Sequence, residues 1–143
     1  MRGKTPSQSS MLALVSPDSM VPENHILRRI KPIVDAILRD MSPTFDAMYA
    51  TSGRTSVPPE RLLKGTLLMA FFSVRSERAL CEQIGYNMLF RWFLDMDMME
   101  KPFDPTVFTH NRDRLLTHDV STAFLAAVVV RARNEGWLSS DHF

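Results

Sequence analysis

Apolar residues recur at the spacing of an α-helix through most of this chain, and this periodicity limits the folds open to it. Between residues 22 and 41 they follow one face of a 3.6-residue repeat: Ile26, Leu27, Ile30, Ile33, Val34, Ile37, Leu38 and Met41. No stretch alternates apolar and polar residues as a half-buried strand does. The pattern predicts an all-α fold, a compact multi-helix bundle containing helix-turn-helix-like units.

Capping residues predict where the later helices begin and end. Ser76 suits the start of a helix over 77–84, Asn87 the start of one over 88–96, and Asp104 with Pro105 the start of one over 104–116. Gly85 and Gly136 are expected to end helices. In the helix that follows Pro58 and Pro59, one buried face is predicted from Leu63, Leu67, Ala70, Phe71 and Val74.

Length and composition predict one folded domain with a leader. The chain has 143 residues, 45% of them hydrophobic, which is enough apolar surface for a core. Residues 1–20 are rich in Ser and Pro and predict a flexible leader, pinned by Leu12, Leu14 and Val15, while residues 21–138 predict the helical domain. The apolar run 11–15 is too short for a signal peptide, and no run approaches the roughly 18 apolar residues of a membrane helix. A cytoplasmic protein without a membrane partner is expected.

Motifs for catalysis, metal binding or cofactor binding are missing from the sequence. The single cysteine, Cys81, allows neither an internal disulfide nor a thiol-based metal cluster, and it fits a reducing setting. The four histidines lack zinc-site spacing, there is no glycine-rich phosphate loop, and the acidic stretch 95–104 lacks the order of an EF-hand. We therefore expect no catalytic residue, no metal ligand and no cofactor in this chain.

Charge is nearly balanced overall but unevenly distributed. The formal net charge is +1, which does not by itself indicate a nucleic-acid partner. Residues 54–91, however, hold six Lys/Arg and three Asp/Glu, whereas residues 95–104 hold one and four. The fold can therefore present a basic face, although an evenly solvated surface fits the same numbers.

The segment 104–116 is the best candidate for a helix that reads a DNA groove. Wound at 100° per residue, it places Thr106, Thr109, His110 and Asp113 opposite a buried stripe of Val107, Phe108, Asn111 and Leu115. Its arginines, Arg112 and Arg114, flank that stripe and suit phosphates or base edges, whereas Asp113 would be repelled by phosphate. An amphipathic surface helix without a ligand remains the alternative.

A second candidate contact lies at the start of the helix over 77–84. Arg75 and Arg78 flank Ser76, where free backbone N–H groups also point outward, so this helix end suits a phosphate group. The helix pair over 76–94 has a helix-turn-helix outline, but its second helix is too apolar for a recognition helix.

Four stretches together resemble the N-terminal region of IS5-type insertion-sequence transposases of the DDE class: "VPENHILRRI", the run from "SPTFDAMY" to "LFRWFLDMDM", "DPTVFTHNRDRLL" and "WLSSDHF". The most specific parts are residues 73–93 and the pattern of Thr106, Phe108, Arg112 and Arg114. The resemblance implies a domain that binds the terminal inverted repeats of double-stranded DNA and helps to assemble the transposase. It assigns catalysis to an RNase H-like domain whose three carboxylates bind two metal ions, Mg²⁺ in this family.

The resemblance also implies what this chain does not do alone. Residues 139–143 match the lead-in to the catalytic domain, which is absent from this chain, and Asp141 is given no catalytic role. A DNA-binding fragment without strand-transfer activity of its own is expected, whether it is an isolated domain, a truncated or frameshifted remnant, or the first part of a split product. Relatives often carry a basic residue where His110 or Asp113 stands, so weaker DNA affinity is expected here.

Two functional hypotheses follow. In the first, the chain binds inverted-repeat DNA at the nucleoid through Arg75, Ser76, Arg78, Thr106, Thr109, His110, Arg112 and Arg114. In the second, the methionine- and aromatic-rich segment 88–99 mediates self-association or docking on a catalytic domain, without direct DNA contact.

We predict that Arg112→Ala and Arg114→Ala each weaken binding to inverted-repeat DNA by about 1 to 3 kcal/mol if these arginines reach bases. Titrations of a labelled duplex over a range of salt concentrations measure the effect. Unchanged affinity in both variants would exclude this helix from the interface.

Overall fold

Eight helices make up the part of the chain that the computed structural model describes, residues 2–8, 10–49, 57–117 and 119–136. They are α1 (Pro17–Met20), α2 (Leu27–Asp40), α3 (Ser42–Tyr49), α4 (Pro59–Phe71), α5 (Glu77–Tyr86), α6 (Met88–Phe93), α7 (Pro105–Thr117) and α8 (Val120–Asn134). Within those ranges there is no strand, which confirms the prediction of a compact all-α fold. The predicted lead-in, residues 139–143, lies outside the described residues.

Helix α1 lies in the segment predicted as a leader, and polar contacts hold it in place. It packs against α6. Asp18 accepts hydrogen bonds from Arg28 Nη1 at 2.8 Å and from Trp92 Nε1 at 2.9 Å. Leu12 and Leu14 are fully exposed and Val15 is half exposed, so the expectation that these three residues pin the leader is wrong. The hydrogen bonds and the ion pair of Asp18 hold this segment in place instead.

The core lies where α2, α4, α5, α6, α7 and α8 meet. Its fully buried side chains include Leu27, Val34, Leu62, Leu68, Leu80, Ile84, Phe90, Phe93, Phe108, Leu115 and Phe124. The buried face of α4 differs from the predicted one, because Ala70 and Phe71 are exposed at the end of the helix while Leu62 and Leu68 face inward. On α2, Ile26 precedes the helix and is half exposed, and Pro32 lies inside a continuous helix.

Gly65 allows α7 to approach α4 and α5 closely. A Cβ atom at this position would lie 3.1 Å from Cζ of Phe108 on α7 and 3.2 Å from Cδ2 of Leu80 on α5. Both of those side chains are completely buried, so neither can move aside easily. The absence of a side chain at Gly65 thus lets Phe108 of α7 and Leu80 of α5 pack directly on α4.

An ionic network that includes the buried Lys64 joins α2, α4 and the turn after α6. Lys64 on α4 is only 3% exposed and pairs with Asp35 on α2 and with Asp95, the latter at 3.1 Å. Lys31 pairs with the same two carboxylates, at 2.9 and 2.7 Å. The hydrogen bond from Lys31 and the charge of Lys64 hold the pKa of Asp95 below its usual value, although burial alone would raise it.

Two of the four acidic residues in the segment 95–104 therefore pair with basic residues of the helices. Asp95 pairs with the two lysines, and Glu100 pairs with Arg61 on α4. The hydrogen bond from Arg61 lowers the pKa of Glu100. These acidic residues anchor the 94–100 segment, and no group of three potential metal-binding side chains occurs in the described ranges.

Helix α8 exposes apolar side chains, but it is too short to cross a membrane by itself. Leu125, Val129 and Val130 leave an apolar stripe of α8 in solvent. No single helix in the described ranges is long and apolar enough to cross a membrane; α7 and α8 together reach that length and composition, but the pair is bent by 79°.

We predict that Gly65→Leu lowers the free energy of unfolding by roughly 1 to 3 kcal/mol, because the added side chain must displace the rings and methyl groups packed on α4. Urea denaturation followed by circular dichroism measures the change. The matched control is Ala70→Leu, which adds a similar side chain to an exposed position of the same helix. Equal stability of the two variants would contradict the close contact.

Asp95 should contribute to stability only above the acid range. Its pKa in the folded protein lies below the usual 3.8, so its contribution is present above that pH and is lost as the pH falls through the folded value. We predict that Asp95→Asn lowers the urea midpoint at pH 6 and reduces its further fall towards pH 2.5. Asparagine also tolerates the left-handed backbone of this position, φ 56°.

The control for this pH dependence is Asp46→Asn on α3, which removes an exposed carboxylate. If Asp95→Asn and wild type lose equal stability between pH 6 and pH 2.5, the ionic network does not support the fold.

Candidate functional site

An open groove between the start of α5 and the outer face of α7 brings together most of the residues singled out in the sequence. Its volume is about 640 Å³. Seven of the eight predicted DNA-binding residues line it: Arg75, Ser76, Arg78, Thr106, Thr109, His110 and Arg112. Residues from two helices that are distant in the chain thus form one continuous surface.

The start of α5 is built as its sequence predicts. Ser76 has an extended backbone, and its Oγ accepts a hydrogen bond from the N–H of Ala79 at 3.0 Å, which confirms it as the N-cap. The chain reaches this cap through a turn in which Ser73 adopts a left-handed backbone, φ 52°. This turn exposes Arg75 and Arg78 on either side of the cap, at the positive end of the helix dipole.

The face of α7 in the groove also follows the predicted periodicity. Asp104 caps the helix by accepting hydrogen bonds from the N–H groups of Thr106, at 2.8 Å, and Val107, at 3.3 Å. The predicted outer residues are all exposed: Thr106, Thr109, His110 and Asp113. The predicted inner residues Phe108, Asn111 and Leu115 are buried, whereas the prediction for Val107 is wrong, since it is 45% exposed.

Buried Asn111 explains why a polar residue can occupy the inner face of α7. Its amide Nδ2 donates to the carbonyl oxygen of Val107, one turn earlier, at 2.8 Å. The bond removes the cost of burying the amide without a partner. The helix therefore keeps its polar and basic residues on the opposite face.

Glu77 joins the two sides of the groove, and the sequence analysis did not identify it. One carboxylate oxygen accepts a hydrogen bond from Arg112 Nη1, and the other accepts one from the hydroxyl of Thr109. The side chain of Glu77 is 15% exposed and that of Arg112 is 33% exposed. The position of Glu77 directly after the N-cap could be read from the sequence, but its contact with α7 depends on tertiary packing.

The other two arginines of the groove, Arg75 and Arg78, keep their positive charge available to a ligand. Within the described part of the chain, no hydrogen bond or ion pair joins the side chain of Arg75 or Arg78 to another group. Both are exposed. The lining as a whole holds three arginines, His110 and two carboxylates, those of Glu77 and Asp113. The free positive charge is concentrated at the α5 end.

Arg114 lies apart from this groove. Its guanidinium is 5.2 Å from the ring centre of Tyr49 on α3, the contact of a cation with an aromatic face. It is half-buried there and does not line the groove. The spacing of 3.6 residues per turn had already placed it on the flank of the helix, but not against Tyr49.

Helix α6 is part of the core. Phe90 and Phe93 are buried, and Arg91 is 3% exposed, donating to the carbonyl oxygen of Asp97 at 2.7 Å. Helix α5 continues through Gly85 to Tyr86, so Gly85 does not end it, and Asn87 caps α6 as predicted. Of the methionines that follow, Met96 is buried, whereas Met99 is 91% exposed.

Other reactive or basic side chains are used structurally. Cys81 is buried, and burial raises the pKa of its thiol to about 11, which leaves it protonated and unreactive at neutral pH. Arg28 donates to the backbone carbonyls of Asp18 and Val21, at 2.8 and 2.7 Å. These groups therefore add nothing to the groove.

Comparison with known families gives one match over most of the chain. The family model described as "Transposase domain (DUF772)" matches residues 15–114. This span runs from the approach to α1 to the third turn of α7 and includes all eight predicted site residues. No curated protein and no solved structure matches the chain.

Proposed function

The chain belongs to the transposase domain family, and on that premise we propose that it binds double-stranded DNA, at the terminal inverted repeats of a transposable element, through the groove between α5 and α7. The exposed face of α7 enters the major groove, and the start of α5 lies against the phosphate backbone. We propose that this DNA binding takes place in the cytoplasm, on the chromosome.

The convergence of the predicted residues carries this proposal. Arg75 and Arg78 precede and follow a helix cap, Thr106 and His110 lie on another helix, and the fold brings both sets to one open surface. An α-helix fits the major groove of B-DNA, whose width is about 12 Å. Phosphate contacts that fix the register and a helix that reaches base edges are the two components of sequence-specific binding.

The distribution of charge supports the same assignment of roles. A phosphate at the start of α5 would meet two arginines without a hydrogen-bond or ion-pair partner among the described residues, together with the free N–H groups of the first turn. On α7, hydroxyl and imidazole groups are the donors and acceptors that base edges match. Asp113 lies on this face too and disfavours phosphate contact there, so the backbone contacts belong to α5.

The chain's own residues supply binding and positioning in this proposal, with no cofactor. The resemblance to IS5-type transposases assigns DNA cleavage to carboxylates of a separate RNase H-like domain with Mg²⁺. Self-association or docking on such a domain belongs to the proposal as well, with exposed Met99 as a contact at the end of the segment 88–99.

We predict that Arg75→Ala and Arg78→Ala each weaken binding to inverted-repeat duplexes by a similar factor for every sequence tested. Each variant should also reduce the slope of log affinity against log salt by about 0.9, the release of counterions from one phosphate. Fluorescence anisotropy at several salt concentrations measures both quantities. The matched control is Arg131→Ala, which removes an exposed arginine of α8 that does not line the groove.

The slope of log affinity against log salt, measured for the unaltered chain, separates the two hypotheses. If duplex affinity does not depend on salt, or if Arg131→Ala changes the slope as much as the groove variants, the groove is not the DNA interface. Concentration-dependent self-association that Met99→Ser abolishes, without any duplex binding, would then favour the docking hypothesis.

A further inference from the structure

Arg112 differs from the other two arginines of the groove because a carboxylate already holds it. Its Nη1 donates to Glu77, and Glu77 is oriented in turn by the hydroxyl of Thr109, one turn before Arg112 on the same helix. No hydrogen bond in the described ranges engages Nε or Nη2 of Arg112. A third of the side chain remains exposed, and it lines the groove.

This arrangement changes which DNA group the guanidinium can bind. A phosphate brought to Arg112 also approaches the carboxylate of Glu77, whose negative charge repels it. A base edge is neutral and meets no such repulsion. The free Nε–Nη2 edge presents two parallel donors, which match the O6 and N7 acceptors of guanine in the major groove.

We propose that Glu77 is a positioning residue for sequence readout: it fixes Arg112 as a reader of guanine and prevents it from acting as a phosphate contact. The inference rests on the proposed function, since it concerns the same groove. Arg75 and Arg78 then supply sequence-independent affinity, while the Glu77–Arg112 pair supplies discrimination. Preorganisation by a half-buried carboxylate also spares the entropy of ordering a long side chain on binding.

The test uses the full chain and short duplexes that it selects from a random-sequence pool. Replacing the contacted guanine by 7-deazaguanine removes the N7 acceptor and leaves the base pair intact. We expect this replacement to weaken binding of the unaltered chain by about tenfold. Glu77→Gln should reduce that difference to about twofold or less, because the uncharged amide holds the guanidinium less firmly and no longer repels phosphate.

The salt dependence gives a second readout that a merely structural role would not change. Once released from the carboxylate, Arg112 can meet a phosphate, so Glu77→Gln should make the slope of log affinity against log salt steeper by about 0.9. The matched control is Glu82→Gln, the same change at an exposed position of α5 outside the groove, which should leave both readouts unchanged. In an Arg112→Ala background, Glu77→Gln should no longer alter guanine discrimination.

The outcomes separate this inference from the proposed function. If no duplex is enriched and affinity is independent of salt, the proposed function fails. If duplexes bind but Glu77→Gln keeps full discrimination against 7-deazaguanine, only the positioning role is overturned. Should Glu77→Gln prevent folding, the comparison of the unaltered chain with Arg112→Ala decides, and an equal 7-deazaguanine penalty in both overturns the inference.

Discussion

The seating of Phe108 against Gly65 is the contact on which the rest of this structure depends. Phe108 is completely buried, and a Cβ atom at position 65 would lie only 3.1 Å from its ring, closer than an ordinary van der Waals contact. This contact sets how closely α7 lies on α4 and α5, and thereby how far its outer face lies from the start of α5. The groove exists because two helices from different parts of the chain are held at that separation.

The net charge of the chain does not show how its charged residues are divided between ion pairs that support the fold and side chains exposed in the groove. Two carboxylates of the acidic segment after α6, those of Asp95 and Glu100, pair with Lys31, Lys64 and Arg61, so part of its negative charge is compensated locally. Buried or half-buried pairs are screened little by salt, whereas the exposed arginines of the groove are screened strongly. A chain with a net charge of +1 can therefore present a local surface suited to a polyanion.

Much of the fold could be predicted from the sequence, because periodicity and caps are local properties. Ser76, Asn87, Asp104 and Gly136 mark helix ends as expected, and the outer face of α7 follows from 3.6 residues per turn. The errors occur where tertiary packing decides. The buried face of α4 follows from its contact with α7, and the fixing of α1 follows from a hydrogen bond between residues 74 positions apart.

Most of the individual residues of the candidate site could be predicted from the sequence, but the contacts between them could not. Residue types and capping positions identified seven side chains that meet in the groove, but nothing local indicated that Glu77 would link Arg112 with Thr109, or that Arg114 would lie on Tyr49. Such pairings join α5 to α7 and α7 to α3, and a single sequence carries no signal for them beyond the presence of complementary groups.

The clamp on α1 has a mechanical consequence for whatever is attached to the chain's leading end. Arg28 and Trp92 donate hydrogen bonds to the side chain of Asp18. These bonds hold α1 against the side of the bundle formed by α2 and α6. A load applied through residues before Pro17 is transmitted first to those two helices, and α6 in turn contacts α5, which precedes it in the chain. A fused module or an immobilising tether placed there is attached beside α2 and α6, neither of which contributes a residue to the lining of the groove.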